Sequence, residues 1–367
     1  MKKPLIIPFF IPHAGCPFTC VFCNQWKISG NEGEIKPEEI DGYVAAYLQK
    51  SRLWPDRYRE IAFYGGSFTA LPSEKQLSLL QAAAEQKKKG RIKGIRLSTR
   101  PDFIDRPILE RLFSYGVTTV ELGVQSLVDE VLEKTCRGHS VADTTRALQL
   151  LREYPFQVGY QLMLGLPGDS FTYARLTAEK TVAAQPDFVR IYPTLVLRGT
   201  ELEKWYQEGR YTPWSLQDAV RVAASWLGVF SLYQIPVIRL GLQARENLSS
   251  EKDLVAGPYH PAFGELVESR LMLEQIEKGW QELRADKSRK PGIEGENSLI
   301  ISFAPRDYSK VVGQNKRNLH ELKQKYGLDK ITLIPNEEIA ENDLEIKTSL
   351  QTVKIKRKDF LDRYRIL

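Results

Sequence analysis

The chain has 367 residues, 42% of them hydrophobic, a formal net charge of +6 and only four cysteines. That length suggests one large domain with a smaller companion, or two to three domains, and the hydrophobic share suffices for a full core. No run of about 18 apolar residues occurs, which excludes a membrane-spanning helix; few cysteines argue against a disulfide framework and for a reducing cytoplasm; the modest charge permits an anionic partner without demanding one.

The first apolar run, Leu5–Ile11, leads into Cys16-Pro17-Phe18-Thr19-Cys20-Val21-Phe22-Cys23. Three thiols thus share one short loop, and the fourth cysteine is the distant Cys136. Thiolates hold zinc and iron–sulfur clusters. A closed structural site takes four ligands, whereas three thiolates on a four-iron cluster leave one iron open, as in catalytic metal centres. Three other readings compete. Cys136 or His13 completes a zinc knuckle in one. In the second, Lys2, Lys3 and Ala14-Gly15-Cys16 imitate a lipoprotein signal, but Pro8 and Pro12 interrupt its apolar run and His13 is polar. The third, buried structural cysteines, does not explain the spacing.

Downstream, apolar β-branched runs recur at Ile61–Tyr64, Ile95–Ser98, Thr118–Val124, Val158–Leu164 and Phe188–Ile191, with amphipathic stretches such as Glu74–Lys89 and Ile108–Tyr115 between them. Strands alternating with helices imply a parallel sheet with right-handed crossovers, and sites in such folds lie at the carboxyl ends of the strands. Gly65-Gly66-Ser67 follows the second strand and Ser98-Thr99-Arg100-Pro101-Asp102 ends the third. Gln125 and Ser126 end the fourth, with Arg137-Gly138-His139 one helix later. Gln161 lies on the fifth, which runs into Gly165-Leu166-Pro167-Gly168. Each has an ordinary structural reading, as a turn, a cap or a surface side chain.

Taken with the CxxxCxxC loop, these phrases resemble the radical S-adenosylmethionine (SAM) enzymes. The resemblance implies an α/β fold, an incomplete (β/α)6 TIM-like barrel, with a [4Fe–4S] cluster and SAM as cofactors. It implies that Cys16, Cys20 and Cys23 hold the cluster and that Phe22 packs near the adenine of SAM. Gly65, Gly66 and Ser67 take the place of a GGE-type motif that meets the amino group. Ser98, Gln125, Ser126, Arg137 and Gln161 are further SAM contacts by the same resemblance. It also implies reductive cleavage of SAM to a 5′-deoxyadenosyl radical and an external low-potential electron donor of the flavodoxin or ferredoxin type. Within the family, YGGSFTAL, ELGVQS, RGH and IYPTLVLRGTEL are most similar to the radical SAM half of the Elongator catalytic subunit, a tRNA-modifying enzyme. The GVQ and GLP phrases are shared with oxygen-independent coproporphyrinogen oxidases. The chain ends too soon for the Elongator acetyltransferase domain, so that reaction does not carry over. Cys136 alone cannot supply a second cluster.

After the barrel (1–198) comes an extension (199–283), with a helix at Leu216–Tyr233, a strand at Pro236–Leu240 and a proline-fixed loop carrying Tyr259 and His260. These two side chains face substrate, or His260 merely braces a rigid turn. Residues 284–297 read as a linker. Residues 298–340 then read as strand, short helix, Gly313-Gln314-Asn315-Lys316, helix Arg317–Tyr326 and strand. That order resembles the KH RNA-binding module, whose GXXG loop clamps a nucleic-acid backbone. Here Lys316 replaces the second glycine. The implied small α+β domain would meet RNA through Gly313, Lys316 and Arg317. From Arg306 to Lys330 seven basic residues stand against three acidic ones, concentrating the positive excess there. Residues 341–367 read as a basic tail without a functional reading; Asp343–Leu367 contains an apolar-alternating strand and a basic run (Lys354, Lys356, Arg357, Lys358). The sequence therefore implies a cytoplasmic radical SAM enzyme acting on RNA, with tRNA as partner and neither DNA nor membrane. A radical enzyme acting on a metabolite or tetrapyrrole, and a non-catalytic iron–sulfur protein, are the alternatives.

Overall fold

The structure, a computed structural model, describes residues 4–11, 13–17, 19–24, 35–50, 57–242, 252–285 and 297–366. Most of the sequence-read linker lies outside these. The chain divides into two compact units, Met1–Trp214 with Gln243–Tyr259, and Ser215–Leu242 with His260–Leu367.

In the first unit, β1 (Leu5–Phe10), β2 (Arg59–Tyr64), β3 (Gly94–Thr99), β4 (Val117–Gln125), β5 (Gln157–Leu164) and β6 (Phe188–Pro193) lie side by side in sequence order. Every neighbouring pair is parallel. The connections carry α1 (Glu39–Lys50), α2 (Ser73–Lys88), α3 (Arg106–Ser114), α4 (Asp129–Lys134), α5 (Val141–Leu151) and α6 (Phe171–Ala184). An order without reversal has no topological switch point, so the sheet curls as a partial barrel instead of opening as a doubly wound one. Helix starts are fixed by side chains. Asp105 accepts from the Ile108 N–H at 2.8 Å, and Ser140 and Asp143 form a capping box. Then come β7 (Val196–Leu197) and α7 (Glu201–Gln207), with β7 pairing antiparallel to the later β9 (Leu254–Ala256).

The second unit holds α8 (Leu216–Leu232), β8 (Val237–Leu240), α9 (Phe263–Ala285) and a four-stranded sheet. The strands are β10 (Ser298–Phe303), β11 (Lys330–Pro335), β12 (Leu344–Lys347) and β13 (Thr352–Ile355), in the order β11-β10-β12-β13. Two helices, α10 (Tyr308–Val312) and α11 (Arg317–Tyr326), join the parallel pair β10 and β11. β12 pairs antiparallel to β10 and to β13, and α12 (Arg357–Leu361) follows. The stretch read as a basic tail is therefore part of the small domain's sheet. Its apolar positions Leu344, Ile346 and Ile355 are buried, and Gln275 of α9 donates to the Asn342 and Ile355 carbonyls at 3.0 Å each. Gly279 lets α9 pass close over this sheet, since a Cβ there would stand 2.5 Å from Ile346 Cδ1.

Candidate active site

The thiol loop is tied to the turn after β2 by backbone hydrogen bonds. His13 N donates to the Gly65 carbonyl at 3.0 Å and Ser67 N to the Ala14 carbonyl at 3.0 Å. The approach requires glycine. A Cβ on Gly66 would lie 2.4 Å from the Ile11 oxygen and 2.5 Å from that of Ala14, and one on Gly15, at φ +74°, would lie 2.2 Å from the Ser67 oxygen. At its other end the loop is held by Val21 N on the Thr135 carbonyl (3.2 Å) and Leu202 N on the Val21 carbonyl (2.8 Å). Phe22 is buried in an apolar cluster with Val128, Val131, Leu166, Leu202 and Tyr211.

Cys20 is buried, Cys16 and Cys23 are half-buried, and Cys136 is exposed. Among the described residues no three Cys, His, Asp or Glu side chains are grouped tightly enough to hold a metal ion, so the thiols share one loop without converging on a point. Burial pushes the Cys16 thiol up, while Arg137, Arg100 and the Ser67 backbone N–H pull it back down. Arg137 is the electrostatic centre. Its Nη1 donates to Cys20 Sγ at 3.3 Å and its Nη2 to the Gly123 carbonyl at 2.7 Å. Gln125 takes a left-handed backbone, φ +64°, which ends β4 and sets its amide beside Gly123 and Arg137. His139 is 6% exposed. Burial, with Arg137 and Arg100 alongside, holds its pKa down to about 3, so the ring is neutral. Three soft sulfur donors beside a fixed cation suit an iron–sulfur cluster.

The serines are placed differently from one another. Ser67 is buried, its hydroxyl 3.0 Å from Thr99 Oγ1 and accepting from Arg100 N at 3.2 Å, so its visible role is to tie β2 to β3. Ser126 is buried and accepts from Val128 N at 3.2 Å ahead of α4. Ser98 Oγ accepts from Gln161 Nε2 at 3.1 Å.

Gln161 also donates to Glu121 at 2.9 Å and so opens on a buried network that the motif reading missed. Glu121 is 0% exposed and meets Arg96 Nη1 at 2.8 Å, Arg190 Nε at 2.7 Å and the Tyr64 hydroxyl at 3.1 Å. Arg96 is also bound to Glu60 at 2.7 Å. Burial alone would raise the Glu121 carboxyl, but Arg190 and Arg96 outweigh it and hold the group below its ordinary range. The signal in the sequence was polar residues at alternate positions of apolar strands: Glu60 in REIAFY, Arg96 in GIRLST, Glu121 in VTTVELGVQ, Arg190 in FVRIYP. Period two places them on one face.

In the second unit His260 Nδ1 accepts from Ala262 N at 3.1 Å, the geometry of the rigid-turn reading. Lys316 and Arg317 are exposed. Gly313, Asn315 and Lys316 all have positive φ (72°, 52° and 59°), so Lys316 holds the left-handed backbone that a glycine adopts freely.

The partial parallel barrel thus carries a three-thiol loop after its first strand. The model of the radical SAM superfamily matches residues 10–180, and that of the radical SAM C-terminal domain matches residues 186–272. The chain belongs to the radical SAM superfamily and is an enzyme of that class. It is 43% identical over 125 residues to a tRNA uridine(34) acetyltransferase of Dehalococcoides mccartyi, covering 33% of this chain and 27% of that one. It is 30% identical over 267 residues to Elongator complex protein 3 of Bos taurus, covering 59% of this chain and 48% of that one. The matched stretch thus spans half or less of each of these two relatives. Methanocaldococcus infernus Elp3 lacking its N-terminus shares the fold, with a TM-score of 0.59 at 19% identity over 91% of this chain and 94% of that one. Among the described residues no helix is long and apolar enough to cross a membrane.

Proposed function

We propose that the chain is a radical SAM enzyme that modifies RNA, with tRNA as substrate. Cys16, Cys20 and Cys23 hold the cluster. When bound and supplied with an electron by an external low-potential donor, the cluster and SAM would provide radical hydrogen-abstraction chemistry. The protein's own part is to bind and to orient. Arg137 donates to Cys20 Sγ and presents charge toward a carboxylate. Gly65 and Gly66 bring backbone close to the ligand, Gln125, Ser98 and Gln161 offer hydrogen bonds, and buried Ser67 and Ser126 hold the turns that carry them. Phe22 seals the loop against the apolar cluster.

The observation that carries this reading is the contact of Arg137 with Cys20 across the carboxyl ends of the parallel strands, on a loop that two glycines lock to the turn after β2. The RNA part is supported by the tRNA-modifying relatives and by the second unit, where the exposed Lys316 and Arg317 follow Gly313 in a loop between two helices, as in a KH module.

Anaerobic reconstitution should give about four irons per chain. It should also give 5′-deoxyadenosine on reduction with SAM, and both should be lost in Cys20→Ala. Zinc alone, or a cluster unchanged in Cys20→Ala, would refute the site. Filter binding of bulk tRNA should fall steeply with salt and be lost in Lys316→Glu/Arg317→Glu. Equal, poor binding by both proteins at low salt would refute the RNA reading and direct the search to metabolites.

A further inference from the structure

Three helices of the second unit each turn one face to a common groove. α8 contributes Gln217 and Val220, α9 contributes Leu266 and Leu273, and α11 contributes Arg317, His320 and Gln324. The spacing within each set is that of a single helix face. The groove holds about 530 Å³, within the size range of small-ligand sites. Because α8 and α9 lie outside the strand-helix-helix-strand module, the module alone could not form it. One wall is fixed by Asn318, which is buried and whose Nδ2 donates to Ser269 Oγ and to the Lys310 carbonyl at 2.9 Å each. Gly313 rests on the same wall. A Cβ there would lie 2.9 Å from Asn318 Oδ1 and 3.1 Å from Ser269 Oγ. The Gly313–Lys316 loop is thus seated at the edge of the groove, and its Gln314 belongs to the lining.

The ionised groups of the walls are engaged with one another. Asp218 meets Arg221 at 2.8 Å, and Arg270 is shared by Glu274 at 3.1 Å and Glu321 at 2.9 Å. Arg317 is exposed and has no ion pair among the described residues. Gln217, Gln314 and Gln324 are exposed, and their amides make no hydrogen bond among the described residues. Each amide offers two donors and an acceptor. Val220, Leu266 and Leu273 supply the apolar surface between them. Uncommitted amides around apolar side chains suit a flat, uncharged ligand with donors and acceptors on its edge. Lys316 and Arg317 beside them suit a phosphate attached to it. We infer that this groove holds one base of the single-stranded RNA whose backbone meets the Lys316 loop. This rests on the RNA reading above. The amides bond the edge of the base, the apolar side chains meet its face, and Lys316 and Arg317 neutralise its phosphate.

The test uses the full chain and labelled single-stranded homopolymers of adenylate, cytidylate and uridylate, each titrated at several salt concentrations. Gln217→Ala/Gln324→Ala should weaken binding of the preferred homopolymer about tenfold, through lost hydrogen bonds. Its salt slope should match wild type because no phosphate contact is lost, whereas Lys316→Glu/Arg317→Glu should lower the slope. The preference among homopolymers should shrink in the amide variant. Both of its positions are exposed, so its melting temperature should equal that of wild type. If the amide variant binds every homopolymer as wild type does while Lys316→Glu/Arg317→Glu loses binding, the groove is not a base site and the RNA reading stands. If the wild-type chain binds no RNA at low salt, the RNA reading fails and the base site with it.

Discussion

Replacing Glu121 by Gln tests the buried network directly. Two guanidiniums, Arg96 and Arg190, share the barrel interior with two carboxylates, Glu60 and Glu121. The isostere keeps the volume but leaves one cation uncompensated, and sets an amide N–H among guanidiniums, which only donate. Breaking a buried pair from one side costs ~3–5 kcal/mol, and the completely buried Glu121 belongs at the upper end. Arg190→Gln in the same background removes the surplus cation. The double variant should therefore be more stable than the sum of the singles by ~1–3 kcal/mol. Urea unfolding followed by circular dichroism, run as a double-mutant cycle, measures both. The pH dependence has a definite sign. The folded carboxyl lies below its ordinary 4.5, so the wild-type advantage over Glu121→Gln is complete above that pH and shrinks as pH falls further. A cost under ~1 kcal/mol, or a cycle that is additive, would refute the idea of a dry, charge-matched interior.

Gly66→Ala places a methyl carbon 2.4 Å from a backbone oxygen, so the thiol loop must part from the turn after β2. Iron bound after reconstitution should drop well below that of wild type, whereas Gly42→Ala, which meets nothing within 4 Å, should leave it unchanged. Lys316→Gly removes a left-handed non-glycine residue and should stabilise the second unit by ~1 kcal/mol, read as a higher melting temperature. Asp169 is buried and pushed up to about 6 although it accepts from the Gly165 and Ser170 N–H groups. Its folded pKa exceeds the ordinary 3.8, so the cost of ionising it is absent at low pH and complete above about 6. Asp169→Asn should gain stability relative to wild type as pH is raised from 4 to 7 in a melting series. An unchanged difference across that range would contradict the burial argument.

Most of the barrel was legible in the sequence because its signals are local. Each buried parallel strand is a largely apolar run, and the site motifs lie on or just after these strands. The thiol spacing suggested its chemistry without a fold, since a shared metal accounts for three cysteines in one short loop. What the sequence by itself determined was this order of strands, helices and motifs. Tertiary structure decided which residues meet. Arg137 lies far along the chain from Cys20, and only the closing of β4 and its following helix against the first loop brings guanidinium to sulfur. Gly66 looked like an ordinary turn glycine until the Ala14 carbonyl stood where its side chain would be. The Glu121 network was hidden because a charge in a strand is read locally as a solvated face, and its burial depends on partners supplied by β2, β3 and β6. The tail's alternating strand was legible, but its place in a sheet was not, because strand pairing is non-local. β12 is only four residues long and ends on Lys347, and it pairs because β10 offers it an edge. Local pattern is written into consecutive residues, whereas burial and contact are properties of the folded chain, and the site's electrostatics belong to the second kind.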